Sequence, residues 1–228
     1  MINKNRGGFT LIELVIAIVV MAIALMSVPL LLSQTSKSDA FSINQEAILA
    51  GATKIGNILT YPWDDKLVGQ LAVKYILDVS NGDNELDRSA ADPNRRIGNF
   101  KANYRRKFNT NETNASLTLG RATDTNTTAY NDIDDFNGVT ESITNGGVGD
   151  YLKDFNLTTT VNYIDDNATY SSSPTLNINL NTAATAASTN IKLVEVQVTD
   201  TTSNEQITTL RAFSTNIGSY ELIFRTFP

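Results

Sequence analysis

MINKNRGG, residues 1–8, runs directly into FTLIELVIAIVVMAIALMSVPLLL, residues 9–32. The opening eight residues are mostly polar or small, carry Lys4 and Arg6, and end in Gly7-Gly8. One carboxylate, Glu13, interrupts the apolar run near its start. From Leu14 to Leu32 there are 19 residues without a charge. That length suffices to span the hydrocarbon core of a bilayer as a helix. In water such a helix would be apolar all round. Residues 9–32 are therefore expected in lipid or wrapped by other protein.

A carboxylate at the mouth of such a segment costs a few kcal/mol unless it is paired or protonated. Glu13 is either an interfacial residue reaching toward headgroups or a charge held for a cationic partner. A secretory signal would have a shorter apolar core and a small-residue cleavage site after it. Ala22 to Ser27 can mimic such a site, yet the run continues through Leu32. A plain membrane anchor explains the length but neither Gly8-Phe9 nor Glu13.

GG-FTLIEL resembles the cleavage and methylation signature of type IV prepilins and type II secretion pseudopilins. The resemblance implies a leader of residues 1–8, cut by a prepilin peptidase between Gly8 and Phe9, followed by N-methylation of Phe9. It also implies that Glu13 meets the N-terminal ammonium of a neighbouring subunit during assembly. Buried carboxylate and ammonium are each costly alone and tolerable together. Pro29, inside the run, removes one helix hydrogen bond and should bend or loosen the helix. Many pilins carry a proline there.

Composition narrows the rest. The 228 residues suffice for one domain beyond a long helix. The formal charge of −6 becomes −8 once the leader's Lys4 and Arg6 are gone, which argues against nucleic acid as a partner. Without cysteine there is no disulfide framework or thiol chemistry. Without histidine the usual triads are excluded and a zinc site is disfavoured. No nucleophile–base pair or cofactor loop stands out, so neither an enzyme nor a cofactor is expected.

Beyond Ser33 the chain is polar but helical in pattern, over residues 33–60. Phe41, Ile48, Ala52, Ile55 and Leu59 recur on one helical face. That face is expected to pack on the chain's own sheet, and Tyr61-Pro62-Trp63 should end the helix. Residues 61–228 read as a β-rich domain. Leu71 to Val79 suits a short strand, and Asn81-Gly82-Asp83 a turn. Arg88 to Lys107 is dense in basic residues; it reads as a solvated loop, with a basic patch against acidic neighbours as the alternative. From Tyr151 on, apolar residues alternate with polar ones: Phe155, Leu157, Thr159, Val161 and Tyr163; then Leu176, Ile178 and Leu180; then Val194, Val196 and Val198; then Ile207 to Phe213 and Tyr220 to Phe227. Period-two alternation predicts an antiparallel sheet with one buried face. The predicted fold is α+β, a long N-terminal helix across a C-terminal antiparallel sheet, which is also what the pilin resemblance implies.

Asn131 to Gly138, NDIDDFNG, is the most distinctive internal stretch. Asp132, Asp134 and Asp135 suggest calcium by composition, but the EF-hand spacing fails and no Glu stands six residues after Gly138. A tight acidic turn, with Asp side chains capping backbone N–H groups, is the better reading. The stretch resembles the D-V-D-D-Y-x-G segment of MshD-like minor pilins of the mannose-sensitive haemagglutinin type, as does ILTYPWDD, Ile58 to Asp65. Four segments fit an acidic-x-Asn-x-Ser/Thr glycosylation pattern, on Asn114, Asn126, Asn156 and Asn167, a pattern this composition also produces by chance.

Together the resemblances imply a minor pilin. It is held in the inner membrane by residues 9–32, processed, then assembled with other pilin subunits by a pilus assembly platform, its globular domain periplasmic or extracellular. A type II secretion pseudopilin and a membrane-anchored exported binding domain are the alternatives.

Overall fold

A computed structural model describes Gly8 and residues 10–67, 76–82, 114–121, 128–146, 151–165 and 180–218. The expected strands at 71–75, 176–179 and 220–227, and the basic stretch 88–107, lie outside these residues. The chain divides into two units, Met1–Glu46 and Ala47–Pro228.

Helix α1 runs from Leu11 to Ile58, continuous through Pro29. In the first unit every large apolar side chain from Leu11 to Leu32 is exposed. Ser27 and Thr35 return their hydroxyls to the carbonyls of Ala24 and Leu31, both at 2.9 Å. That keeps polar atoms satisfied within the helix, as an apolar surrounding requires. This is the one helix among the described residues long and apolar enough to cross a membrane.

In the second unit the end of α1 packs on a five-stranded antiparallel sheet. Its strands are β1 (Thr140–Ile143), β2 (Phe155–Ile164), β3 (Ala184–Thr185), β4 (Ile191–Asp200) and β5 (Gln206–Thr215). The order is β1-β2-β4-β5, and the short β3 also pairs with β2. β2 and β4 form the centre, paired from Phe155↔Asp200 to Ile164↔Ile191. Their alternation holds as expected. Phe155, Leu157, Thr159, Val161 and Tyr163 point inward with Val194, Val196 and Val198, all nearly inaccessible to solvent. At one end of the pair the opposite face is covered too, where Ile164, Ile191 and Leu193 cluster.

The helical face seated on the sheet differs from the one expected. The structure buries Ala47, Ala50, Gly51, Lys54, Ile55 and Ile58. Of the expected set only Ile55 is among them; Phe41, Ile48, Ala52 and Leu59 are exposed. The reason is close approach. A Cβ added at Gly51 would stand 2.5 Å from Leu210 Cδ1 and 3.2 Å from Val198 Cγ2. Small residues inward let the helix lie down on the valines of β4, and the larger side chains rotate outward.

Pro62 ends the spine as expected. The Thr60 and Tyr61 N–H groups donate to the carbonyls of Asn57 and Ile58, tightening the last turn before Pro62. The chain then turns under the sheet, where Trp63, Leu67, Leu77 and Ala115 pack with Tyr163.

Candidate functional site: the helix entrance and a buried carboxylate cluster

Two places carry chemistry. The first is the start of α1. The Thr10 N–H and hydroxyl both donate to Glu13 Oε2, at 3.1 and 3.0 Å, and the Glu13 N–H returns to Thr10 Oγ1 at 3.4 Å. This is a capping box. It supplies partners for groups that the first turn leaves open, and it gives Glu13 a role within its own chain. The pattern Thr10-x-x-Glu13 is visible in the sequence, but the reading of Glu13 as a charge for a neighbour did not use it. Gly8 is exposed, with nothing within 4 Å of an added Cβ; Phe9, the expected new N-terminus, lies outside the described residues.

The second place joins the end of the spine to the acidic turn. The Ile133 N–H donates to the Pro62 carbonyl at 3.0 Å. Phe136 stacks on Tyr130, centroids 4.6 Å apart, and meets the edge of Tyr61 at 5.1 Å. The two segments that carry the minor-pilin resemblance, Ile58 to Asp65 and Asn131 to Gly138, are thus in direct contact.

The acidic turn is built as the sequence suggests. Asp135 Oδ2 accepts the N–H groups of Asn131 and Asp132, at 2.6 and 3.2 Å, and Asp132 Oδ1 accepts that of Asp135 at 3.0 Å. Gly138, at φ 76°, takes the left-handed conformation that closes it. Asp134 is committed elsewhere. It accepts the Gly120 N–H at 3.1 Å and forms an ion pair with Lys192.

Lys192 is the residue that sequence reasoning missed. Its ammonium is wholly buried, donates to the Trp63 carbonyl at 2.6 Å, and lies 3.7 Å from Asp64 Oδ2. It also stands over the Trp63 ring, 4.4 Å from the centroid. A signal was present: Lys192 shares the inward parity of Val194, Val196 and Val198, so a charge there had to be buried and paired.

Asp64 is equally buried. Oδ2 accepts the Ser116 N–H at 2.9 Å, and Oδ1 accepts the Lys66 N–H at 3.1 Å and the Ser116 hydroxyl at 3.2 Å. The Ser116 hydroxyl also lies 3.2 Å from Asp65 Oδ1. Burial first, then the charge of Asp134, pushes the Asp132 carboxyl up to about 9, against the opposing pull of Lys192. Burial, then the adjacent Asp64 carboxyl, also raises Asp65. Of the three turn residues considered for a metal, only Asp132 groups with further carboxylates, those of Asp64 and Asp65.

Among the glycosylation candidates, Asn114 is exposed. Asn156 sits in β2, where its side-chain oxygen accepts the Ser142 hydroxyl at 2.6 Å. Asn126 and Asn167 lie outside the described residues.

Residues 3–28 match the family described as the prokaryotic N-terminal methylation motif. This is the type IV pilin-like signal, the mark of pilins and pseudopilins that prepilin peptidase processes. The match covers the leader and most of the apolar run, not the globular unit. No curated protein matches the chain, and no solved structure does.

Proposed function

We propose that this chain is a minor subunit of a type IV pilus, with no catalytic role. Prepilin peptidase cuts between Gly8 and Phe9, Phe9 is methylated, and the subunit leaves the inner membrane through α1 to join other pilins. The observation that carries this reading is the methylation motif of residues 3–28, which runs into a helix whose large apolar side chains from Leu11 to Leu32 are all exposed. Exposure beyond the span favours an assembled subunit over a plain anchor. Phe41 in the first unit, and Ile48 and Leu49 in the second, remain exposed past the point where a bilayer would cover them. The MshD-like subtype rests on the sequence resemblance of Ile58–Asp65 and Asn131–Gly138, two segments that lie in contact.

Glu13 has two roles in this account. In the separate chain it closes the capping box. In the fibre, where water is excluded, its charge attracts the Phe9 ammonium of an adjacent subunit, an interaction that is strong only at low dielectric. Glu13→Gln separates the roles, because glutamine also serves at this capping position. Export, membrane insertion and cleavage should stay at wild-type levels while recovery in sheared filaments falls several-fold. A variant that enters filaments as the wild type does would leave Glu13 a capping residue and favour an anchored domain.

A further inference from the structure

We propose that Asp64, Asp65 and Asp132 form a binding site for a divalent cation, calcium by its chemistry, where the end of the spine helix meets the acidic turn. One carboxylate oxygen from each residue lies within 4.8 Å of the other two. Calcium holds its oxygen ligands at about 2.3–2.6 Å in a flexible shell, so such a spread suits it. All donors are hard oxygens, which favours calcium or magnesium over softer metals.

Proximity of acids alone would not carry this. The independent observation is Asp132 itself. Its side chain is completely buried, one oxygen is held by the Asp135 N–H, and the other, Oδ2, has no hydrogen-bond partner among the described residues. A buried carboxylate oxygen left empty costs free energy unless something positive meets it. Lys192 gives Oδ2 no hydrogen bond; its ammonium donates to Asp134 and to the Trp63 carbonyl. Among the described residues, Lys192 is the cation paired within this group of carboxylates, and its partners are Asp134 and Asp64. A divalent ion would offset part of the negative charge that remains.

The ligands are also held in place. The Ser116 and Lys66 N–H groups fix Asp64, and the Asp135 N–H fixes Asp132. Asp65 is the half-exposed member and gives access from solvent. An ion here would tie residues 64–65 to residue 132, and so lock the acidic turn to the base of the spine. The inference does not depend on the pilin reading, since all three ligands belong to the globular unit.

The test uses the full chain in detergent micelles, stripped of metal with chelator and titrated calorimetrically with calcium chloride. Magnesium chloride and sodium chloride serve as controls. One saturable calcium site is expected, and at a hundredfold excess over Kd the Tm should rise by roughly 5–10 °C. Asp132→Asn should weaken calcium binding at least tenfold yet match or exceed the wild-type Tm in chelator, because a neutral amide takes the place of a buried acid whose Oδ2 has no hydrogen-bond partner among the described residues. Should Asp132→Asn fail to fold, Asp65→Asn, at the half-exposed position, provides the same loss of affinity. Absence of a saturable heat in the wild type means that protonation alone settles the cluster, and overturns the proposal. Wild-type calcium affinity in the Asp132 variant, or in the Asp65 variant where it stands in, overturns it equally.

Discussion

Lys192→Met should destabilise the globular unit by about 3–5 kcal/mol, measured by denaturant unfolding of the full chain in detergent with chelator present. Methionine preserves most of the volume and the apolar stem, so packing against Trp63 and Tyr163 changes little. What it removes is the ammonium that touches Asp134 and stands 3.7 Å from Asp64. Those carboxylates, buried with Asp132, then lose the ion-pair partner that they have among the described residues. The Trp63 carbonyl loses its donor as well. The loss should depend on the partner. In the double variant Lys192→Met, Asp134→Asn the two effects should fail to add by about 0.5–3 kcal/mol, because the second change removes a charge that the first left unpaired. Wild-type stability in Lys192→Met would mean that the pair contributes nothing net, and strict additivity that the two residues do not interact.

Ile55→Asp should cost several kcal/mol in the same assay, whereas Ile48→Asp should stay within about 0.5 kcal/mol of the wild type. The two isoleucines are seven residues apart, two helical turns, and periodicity alone assigns them the same role. In the structure Ile55 is 8% exposed and Ile48 is 48% exposed. A carboxylate at 55 enters the contact between α1 and the sheet without a partner; at 48 it stays in water. The comparison belongs to the separate chain, because in filaments an exposed Ile48 is available to a neighbouring subunit. Equal losses at both positions would contradict the helix face described above.

Those two isoleucines also show what was legible in the sequence. Strands β2 and β4 were readable because each buries alternate residues on one side, and Phe155 to Tyr163 and Val194 to Val198 follow that rule without a break. The helix was readable from its apolar run and from Pro62. Its inward face was not, because that face is chosen by how closely backbones approach. Ala47, Ala50 and Gly51 carry little hydrophobic signal, and the larger Phe41 and Ile48 dominate any periodicity count. The acidic turn was readable as a turn from Asn131, Asp135 and Gly138. Its partners were not, since Asp64 and Lys192 lie far away in sequence and only the fold brings them to Asp132. Lys192 did leave a trace, as a charge on the inward parity of an otherwise apolar strand. The capping box left another, in the four letters from Thr10 to Glu13.

The central claim is that residues 1–8 are a leader and that Phe9 becomes the methylated N-terminus of an assembling subunit. Intact-mass and N-terminal peptide spectrometry of the protein recovered from its native host tests this most directly. The account predicts a chain that begins at Phe9, one methyl group heavier at its amino terminus, with the whole apolar run retained. A chain that still begins at Met1, or one that begins beyond Ala24 after an ordinary signal cleavage, would contradict it.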